Sequence, residues 1–225
     1  HSRYYMVALK TFNNLTQERQ QEIIGVCLEE FAFNDYQSAS LSTIIKKLDL
    51  AKGSFYRYFE SKQSLYFYLL DYAVQQRLAN DKGFIKQPLE DFFDLIILHF
   101  RAKVHFDKTQ GVVSAFLYNV LREKNTEELG NIQAIRKQKA LDIMYQLVDQ
   151  YVENGQLRND IDRKILAWHV LQTQLSIFEF MELHYQQDFR QNIQNNKQLY
   201  NLPEDELVAI AQQFVEIQKN GFKNK

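Results

Sequence analysis

Apolar residues recur along this chain at spacings of three and four, the repeat of one face of an α-helix. The first clear run predicts a helix from Thr16, which can act as its N-cap, to about Phe33. Its apolar face contains five residues: Ile23, Ile24, Cys27, Leu28 and Phe31. We expect this helix to end at Asn34 or Asp35, because either residue can adopt the left-handed conformation that usually requires glycine.

Shorter helical patterns follow before residue 82. Ser40 precedes a helix whose apolar residues have the spacing i, i+3, i+4, i+7: Leu41, Ile44, Ile45 and Leu48. The letters LDLA predict a tight turn, a third helix carries residues 53–58, and Ser61 is predicted to cap a fourth helix ending near Asp81. Short helices separated by a turn of three or four residues are the layout of a helix-turn-helix module.

The rest of the chain has helical periodicity as well. Five more helices are predicted: Pro88 to about Phe106, about Gln110 to Glu123, about Glu127 to Asn154 before Gly155, about Asp162 to Gln187, and Glu204 to Lys219. The stretch QNIQNNKQLYNLP, between the last two helices, is predicted to be a polar connector. About nine helices in total indicate an all-α fold.

Composition supports this prediction and restricts the setting. The 225 residues include 7 Gly and 2 Pro, whereas average usage gives roughly 16 and 11. The single cysteine, Cys27, excludes an intramolecular disulfide and suits a reducing compartment. With no run of 18 apolar residues and no leader pattern, we expect a cytoplasmic protein that does not contact a membrane. Residues 1–5 precede Met6 and are interpreted as a vector-derived extension.

The sequence contains no pattern typical of an active site. We find no nucleophile motif, no paired-carboxylate spacing, no glycine-rich phosphate loop and no set of metal ligands. His99 and His105, for example, are six residues apart and point in different directions on a helix. We therefore expect no enzymatic activity, no catalytic residue, no cofactor and no metal.

A cationic surface is predicted on the third helix. Periodicity directs Phe55 and Phe59 into the small core. Five residues are left on or beside the outward side: Lys52, Ser54, Tyr56, Arg57 and Tyr58. The segment from Ala39 to Gln63 contains five basic residues and two acidic ones. Its local charge is therefore +3, on a chain whose net charge is −1. Cations and neutral hydroxyl donors are the groups that bind DNA phosphates, so this surface predicts DNA binding.

The stretch KGSFYRYFESKQSL resembles the pattern KG(S/T)(L/F)Yx(Y/H)Fx(S/N)KxxL of the TetR family of bacterial transcriptional regulators. The similarity extends over about 48 residues, from Ile23 to Leu70. It implies an N-terminal arm over residues 1–15, a three-helix DNA-binding domain over 16–62, and a larger helical ligand-binding and dimerisation domain over 63–225.

The same resemblance implies roles for individual residues. Ten residues are expected to contact DNA: Ser42, Thr43, Ala51, Lys52, Gly53, Ser54, Tyr56, Arg57, Tyr58 and Lys62. Among them, Tyr56, Tyr58 and Lys62 are expected at or near phosphates. Two positions depart from the family pattern. Asp49 replaces the glycine of the turn, and Ala51 replaces a capping Ser or Thr, although its methyl group could contact a thymine methyl group.

The second domain is predicted to form the dimer and to bind a ligand. The helix over 162–187 is apolar on nearly every side, so a second subunit can cover what the core does not. The expected interface residues are Trp168, Leu171, Leu175, Phe178 and Phe214. The expected pocket residues are His99, Phe116, Tyr118, Tyr145 and Gln172.

Taken with the resemblance, these features predict a homodimeric repressor bound to double-stranded DNA at a near-palindromic operator. A small, largely apolar inducer is expected to release it. The alternative is a ligand-independent architectural or nucleoid-associated DNA-binding protein of the same fold.

Overall fold

The structure is a computed structural model that describes residues 10–84 and 90–222. Over these residues the chain forms eleven helices and no strand. The helices are α1 Lys10–Asn13, α2 Gln17–Phe33, α3 Leu41–Lys47, α4 Lys52–Tyr56, α5 Lys62–Phe84, α6 Phe92–Thr109, α7 Gly111–Arg122, α8 Ile132–Glu153, α9 Arg163–His184, α10 Phe189–Gln194 and α11 Glu204–Phe222. The predicted all-α fold is confirmed. None of these described helices is long and apolar enough to cross a membrane.

The chain divides into two compact units. The first contains the residues up to Leu78 together with Gln110–Gln133, and the second contains Ala79–Thr109 together with the residues from Ala134 onward. The helix-turn-helix module and α7 therefore belong to one unit although about 50 residues separate them in sequence. The functional boundary at residues 62 and 63 stays a prediction.

The predicted helix starts in the first unit depend on local side-chain caps and are confirmed. The Thr16 hydroxyl accepts a hydrogen bond from the backbone N–H of Arg19 at 3.3 Å. Ser40 accepts one from Thr43 at 3.2 Å, and Ser61 accepts one from the third residue beyond it at 3.0 Å. Each bond satisfies a backbone donor that a helix leaves unpaired in its first turn.

The predicted end of α2 was wrong in its conformation. Neither Asn34 nor Asp35 is left-handed, and Asn34 is extended, with φ −126° and ψ 148°. The Asn34 side-chain amide donates to the backbone carbonyl of Glu30 at 3.0 Å. The Glu30 carbonyl also accepts from the backbone N–H of Asn34 at 3.2 Å, and the next two carbonyls accept from the Asn119 side chain, so no left-handed residue is needed to pair them.

Two helix starts differ from prediction. Pro88 lies outside the described residues, and α6 begins at Phe92, with the Asp91 carboxylate accepting from the N–H groups of the second and third residues after it at 2.7 and 3.1 Å. The start at Glu127 was wrong, because residues 126–130 form a turn in which Gly130 has φ +60°. Helix α8 begins only after this left-handed glycine.

Two short helices were not predicted. Helix α1 lies in the segment interpreted as an arm, and its Phe12 is fully buried. Helix α10 overlaps the predicted polar connector, which is therefore partly helical, and Asp188 caps it. Phe189, Leu199 and Tyr200 are buried, but they are too widely spaced to produce a periodic signal.

The core of the second unit is formed by α6, α8, α9 and α11. Representative buried residues are Phe92, Ile96, Val148, Tyr151, Leu166, Val170 and Val215. Helix α9 buries one side of its surface in this core and leaves Ile165, Trp168 and Leu183 exposed. Among the described residues, the core covers only one side of α9, as predicted.

Candidate nucleic-acid interface

The turn between α3 and α4 is built from Asp49 and a distant arginine. Asp49 is left-handed, with φ +49°, so the carboxylate residue adopts the conformation for which the family uses glycine. An Arg19 guanidinium nitrogen donates to the Leu48 carbonyl at 3.1 Å and ties the end of α3 to α2. Sequence analysis missed this role of Arg19, because only the fold brings residues 19 and 48 together.

Of the five residues predicted on or beside the outward side of α4, Lys52, Tyr56 and Arg57 are exposed, whereas Ser54 and Tyr58 are half-buried. Phe55 and Phe59 are buried, which confirms the inward direction of these two rings. Seven of the ten predicted DNA-contacting residues are exposed: Ser42, Thr43, Ala51, Lys52, Gly53, Tyr56 and Arg57. The other three, Ser54, Tyr58 and Lys62, are partly buried. Ala51 is the N-cap of α4 and makes no capping hydrogen bond through its side chain, as expected for alanine.

Helix α1 supports the end of α4. The Thr11 hydroxyl donates to the Arg57 carbonyl. The Phe12 ring packs edge-on against the Tyr58 ring, with 6.0 Å between ring centroids, and lies 5.0 Å from the Phe59 ring. Tyr58 is therefore held partly by residues that precede the predicted domain, and it remains partly exposed.

The Lys62 side chain does not extend freely into solvent. Its ammonium donates to the Gln37 carbonyl at 3.3 Å and lies 4.8 Å from the centre of the Tyr36 ring. Burial lowers the pKa of Lys62, and four carboxylates act in the opposite direction: Glu128, Asp35, Glu123 and Glu30. The structure thus places this predicted phosphate contact against the α2–α3 loop, residues 34–40. Its contact with DNA stays a prediction.

Two buried polar side chains, one on α7 and one directly after it, hold the end of α2 and the loop that follows. The Asn119 amide donates to the carbonyls of Phe31 and Ala32 at 2.8 and 2.7 Å. The Glu123 carboxylate accepts from the backbone N–H of Tyr36 at 3.0 Å. Sequence analysis missed both residues, because partners 87 and 88 residues away leave no local pattern.

The predicted pocket residues lie in both units. Phe116 and Tyr118 are buried on α7 in the first unit, where the Phe116 ring lies 5.3 Å from that of Tyr66. The others, His99, Tyr145 and Gln172, are half-buried in the second unit. The Gln172 side-chain nitrogen is shielded from solvent and has no hydrogen-bond acceptor among the residues that the structure describes.

The predicted interface residues differ in exposure. Trp168 is 44% exposed, with the Lys137 ammonium 4.4 Å from its ring. Leu171 is buried within its own chain, and Leu175 and Phe214 are half-buried. Phe178 stacks between two rings of the same unit, those of Phe100 and Tyr200. The most exposed apolar residues on α9 and α11 are instead Leu183 and Ile217, each 75% exposed.

Other candidate chemistry is sparse in the described part of the chain. No group of three or more His, Cys, Asp or Glu side chains there is arranged to hold a metal ion. Cys27 is fully buried in α2, and this burial raises the pKa of its thiol far above the ordinary value. A protonated, inaccessible thiol is a packing residue and not a nucleophile.

The N-terminal region of the chain is similar in sequence to known DNA-binding regulators. The family described as bacterial regulatory proteins, tetR family, matches residues 23–69. A curated relative is the uncharacterized HTH-type transcriptional regulator YuxN of Bacillus subtilis (strain 168), which is 39% identical over 69 residues. The match covers 29% of this chain and 24% of that relative's length, so it compares one region of each protein.

Solved structures match the whole fold. A TetR family transcriptional regulator from Chloroflexus aurantiacus J-10-fl aligns with a TM-score of 0.74 and 23% identity, over 97% of this chain and 100% of that one. The transcriptional regulator FadR from Bacillus subtilis, solved in complex with stearoyl-CoA, aligns with a TM-score of 0.65 and 17% identity, over 89% of this chain and 98% of that one. At these identities the similarity shows a shared fold.

Proposed function

We infer that this chain, as a member of the TetR family of bacterial transcriptional regulators, is a dimeric repressor. A small ligand releases it from its operator. The observation that carries the proposal is the exposure of Lys52, Tyr56 and Arg57 on and next to α4, together with that of Ser42 and Thr43 on α3. Cations and hydroxyl donors on one helix-turn-helix module are the groups needed to bind phosphates and read bases.

In this proposal α4 enters the major groove of cytoplasmic DNA. Lys52, near its beginning, neutralises a phosphate at the edge of the groove and lies close enough to the bases for its ammonium to donate to guanine acceptors as well. Arg57 and Tyr56 donate to phosphates, and the methyl group of Ala51 can contact a thymine methyl. The half-buried Tyr58 offers its hydroxyl from a ring that Phe12 holds in place.

The exposed apolar surface of the second unit supports a dimer. Ile165 and Leu183 on α9 are 57% and 75% exposed, and Ile217 on α11 is 75% exposed. A second copy that packs the same two helices against these would remove them from water and produce a two-fold axis. Two recognition helices related by that axis read half-sites about 34–36 Å apart, which requires a near-palindromic operator.

A ligand site is supported by Gln172. Its side-chain nitrogen is buried without an acceptor in the described chain, and buried donors are normally paired. A ligand oxygen would pair it, while the aromatic residues of α6, α8 and α9 in the same unit would favour an apolar body. FadR, which has the same fold, is solved with stearoyl-CoA, so this fold accommodates a long apolar chain in that protein.

The DNA-binding proposal is tested by selecting bound genomic fragments and then measuring operator affinity against salt concentration. Lys52→Ala and Arg57→Ala should each flatten the slope by about one unit for each phosphate that is no longer neutralised, about two per dimer. Lys139→Ala, an exposed lysine of α8, is the control and should leave the slope unchanged. Slopes unaltered in both α4 variants would contradict the proposed face.

The ligand proposal is tested separately. Lipophilic compounds are screened for thermal stabilisation and the hits are then used in operator displacement. A ligand that favours the DNA-free state by about 1–3 kcal/mol should weaken operator binding about 5- to 150-fold. Hits that stabilise the protein yet leave operator affinity unchanged would support the ligand-independent architectural alternative.

A further inference from the structure

The α2–α3 loop determines where the first helix of the DNA-binding pair begins, and part of its support comes from outside the helix-turn-helix module. We propose that Asn119, Glu123 and Lys62 form a loop clamp that positions residues 34–40 for DNA binding. In this inference Lys62 acts on DNA through the loop and is a positioning residue, not a phosphate contact. The inference rests on the DNA-binding function proposed above.

Asn119 holds the end of α2. Its amide nitrogen donates to the carbonyls of Phe31 and Ala32, both in the last turn of that helix. Carbonyls in a last turn have no helical N–H four residues later, so they need another donor. Asn119 is buried, and a buried carbonyl that loses its donor is costly because water does not replace it. The direction in which the chain leaves α2 thus depends on a side chain of α7.

Glu123 and Glu30 hold the loop at two points. Glu123 accepts from the N–H of Tyr36, whose buried ring packs edge-on against the Tyr66 ring with 5.2 Å between centroids. Near the other end of the loop, the Glu30 carboxylate accepts from the N–H of Ser40 at 2.8 Å. Ser40 is in turn the N-cap of α3. The loop is therefore hydrogen-bonded to Glu123 at Tyr36 and to Glu30 at Ser40, the residue that caps α3.

Lys62 completes the clamp. Both of its described contacts, the Gln37 carbonyl and the Tyr36 ring, belong to the loop. Burial lowers the pKa of this ammonium, and nearby carboxylates, Glu128 first among them, oppose that effect and so favour the charged form at this position. A lysine that left this position to reach a phosphate would break both interactions. The loop clamp therefore favours the inward position of Lys62.

The salt dependence of operator binding separates a positioning lysine from a phosphate contact. Lys62→Met keeps an unbranched apolar side chain and removes the charge, and Lys52→Met makes the same change on the exposed face of α4. We expect Lys52→Met to flatten the slope by about one unit per contact. Lys62→Met should lower affinity about fivefold, the equivalent of about 1 kcal/mol for one lost hydrogen bond, at every salt concentration and with the wild-type slope.

Hydrogen exchange of the free protein tests the clamp without DNA. Glu123→Ala removes the acceptor of the Tyr36 N–H and should speed exchange in residues 36–40, whereas Glu123→Gln keeps an acceptor oxygen and should retain most of the protection. Lys124→Ala, at the exposed neighbouring position, is the control and should match wild type. Unchanged protection of α9 verifies that each variant is folded.

Two results would overturn the clamp. One is a Lys62→Met slope flattened as much as that of Lys52→Met, which would restore Lys62 as a phosphate contact. The other is wild-type exchange over residues 36–40 in Glu123→Ala. Absence of salt-dependent operator binding by the wild type would refute the proposed function instead, and the exchange experiment would still decide whether the loop is clamped.

Discussion

At the scale of single residues, Ala51 shows how a cap can be missing from a correctly formed helix. Its backbone has φ −67° and ψ 138°, the extended conformation of a helix N-cap, but its methyl group accepts no hydrogen bond. Helix α4 is only five residues long, so its first turn is most of the helix. The N–H of Ser54 already donates to the Ala51 carbonyl at 2.9 Å, so a serine at position 51 would add a partner for the N–H of Gly53.

We therefore expect Ala51→Ser to raise the free energy of unfolding by about 1 kcal/mol, because the new hydroxyl can accept from the first turn. Urea denaturation should show a higher midpoint with an unchanged slope. The reciprocal change, Ser40→Ala, removes an observed cap of α3 and should lower the free energy of unfolding by a similar amount. A midpoint that falls in Ser40→Ala but does not rise in Ala51→Ser would show that α4 does not use a side-chain cap.

At the scale of elements, α1 is part of the DNA-binding module and not a loose arm. Its four residues are too few to form a stable helix in isolation. Phe12 fixes it, because this fully buried ring contacts three aromatic rings: those of Tyr58, Phe59 and Tyr68. The position of Tyr58, a predicted DNA contact, thus depends on an element outside the predicted domain.

Phe12→Ala should lower the free energy of unfolding by about 3 kcal/mol, the usual cost of deleting a buried phenylalanine side chain. Phe12→Leu keeps most of the apolar volume and should cost less than about 1.5 kcal/mol. Both values are measured by urea denaturation, and Asn14→Ala, at an exposed position two residues on, is the control. Equal, small effects of both Phe12 variants would mean that α1 is not packed in solution.

At the scale of the whole molecule, the exposed apolar residues of α9 and α11 predict a dimer. Leu183→Glu combined with Ile217→Glu should produce a monomer, because each charge would be buried without a partner in the proposed interface. Both residues are 75% exposed in the single chain, so its own packing should survive. Light scattering at micromolar concentration measures the mass of each protein.

Ile143→Glu is the matched control, since Ile143 is 65% exposed but lies on α8. It should leave the dimer intact. The double variant should also unfold at a lower temperature that no longer depends on protein concentration, because dimerisation stabilises the folded state by mass action. A wild-type protein that is already monomeric would refute the proposed dimer and the near-palindromic operator that the dimer requires.

Features that depend on neighbours in sequence were determined by the sequence alone. Helical periodicity located the long helices, and Thr16, Ser40 and Asp162 marked helix starts that the structure reproduces. The inward direction of Phe55 and Phe59 follows from the same repeat. These features were predictable because a cap or a helical face is set by residues three or four positions apart. The TetR pattern is equally local, since it lies on α4 and the start of α5.

Features that depend on distant residues were decided only by the tertiary structure. Lys62 matches the family pattern, yet its ammonium lies on a loop 25 residues earlier in the chain. Asn119 and Glu123 look like ordinary polar residues at the end of a helix until the fold places them on partners 87 and 88 residues away. Asp49 is left-handed while Arg19 holds the adjoining end of α3, an interaction that local propensity does not contain. Buried polar groups must find partners wherever the fold brings them, and only the folded chain determines which ones they meet.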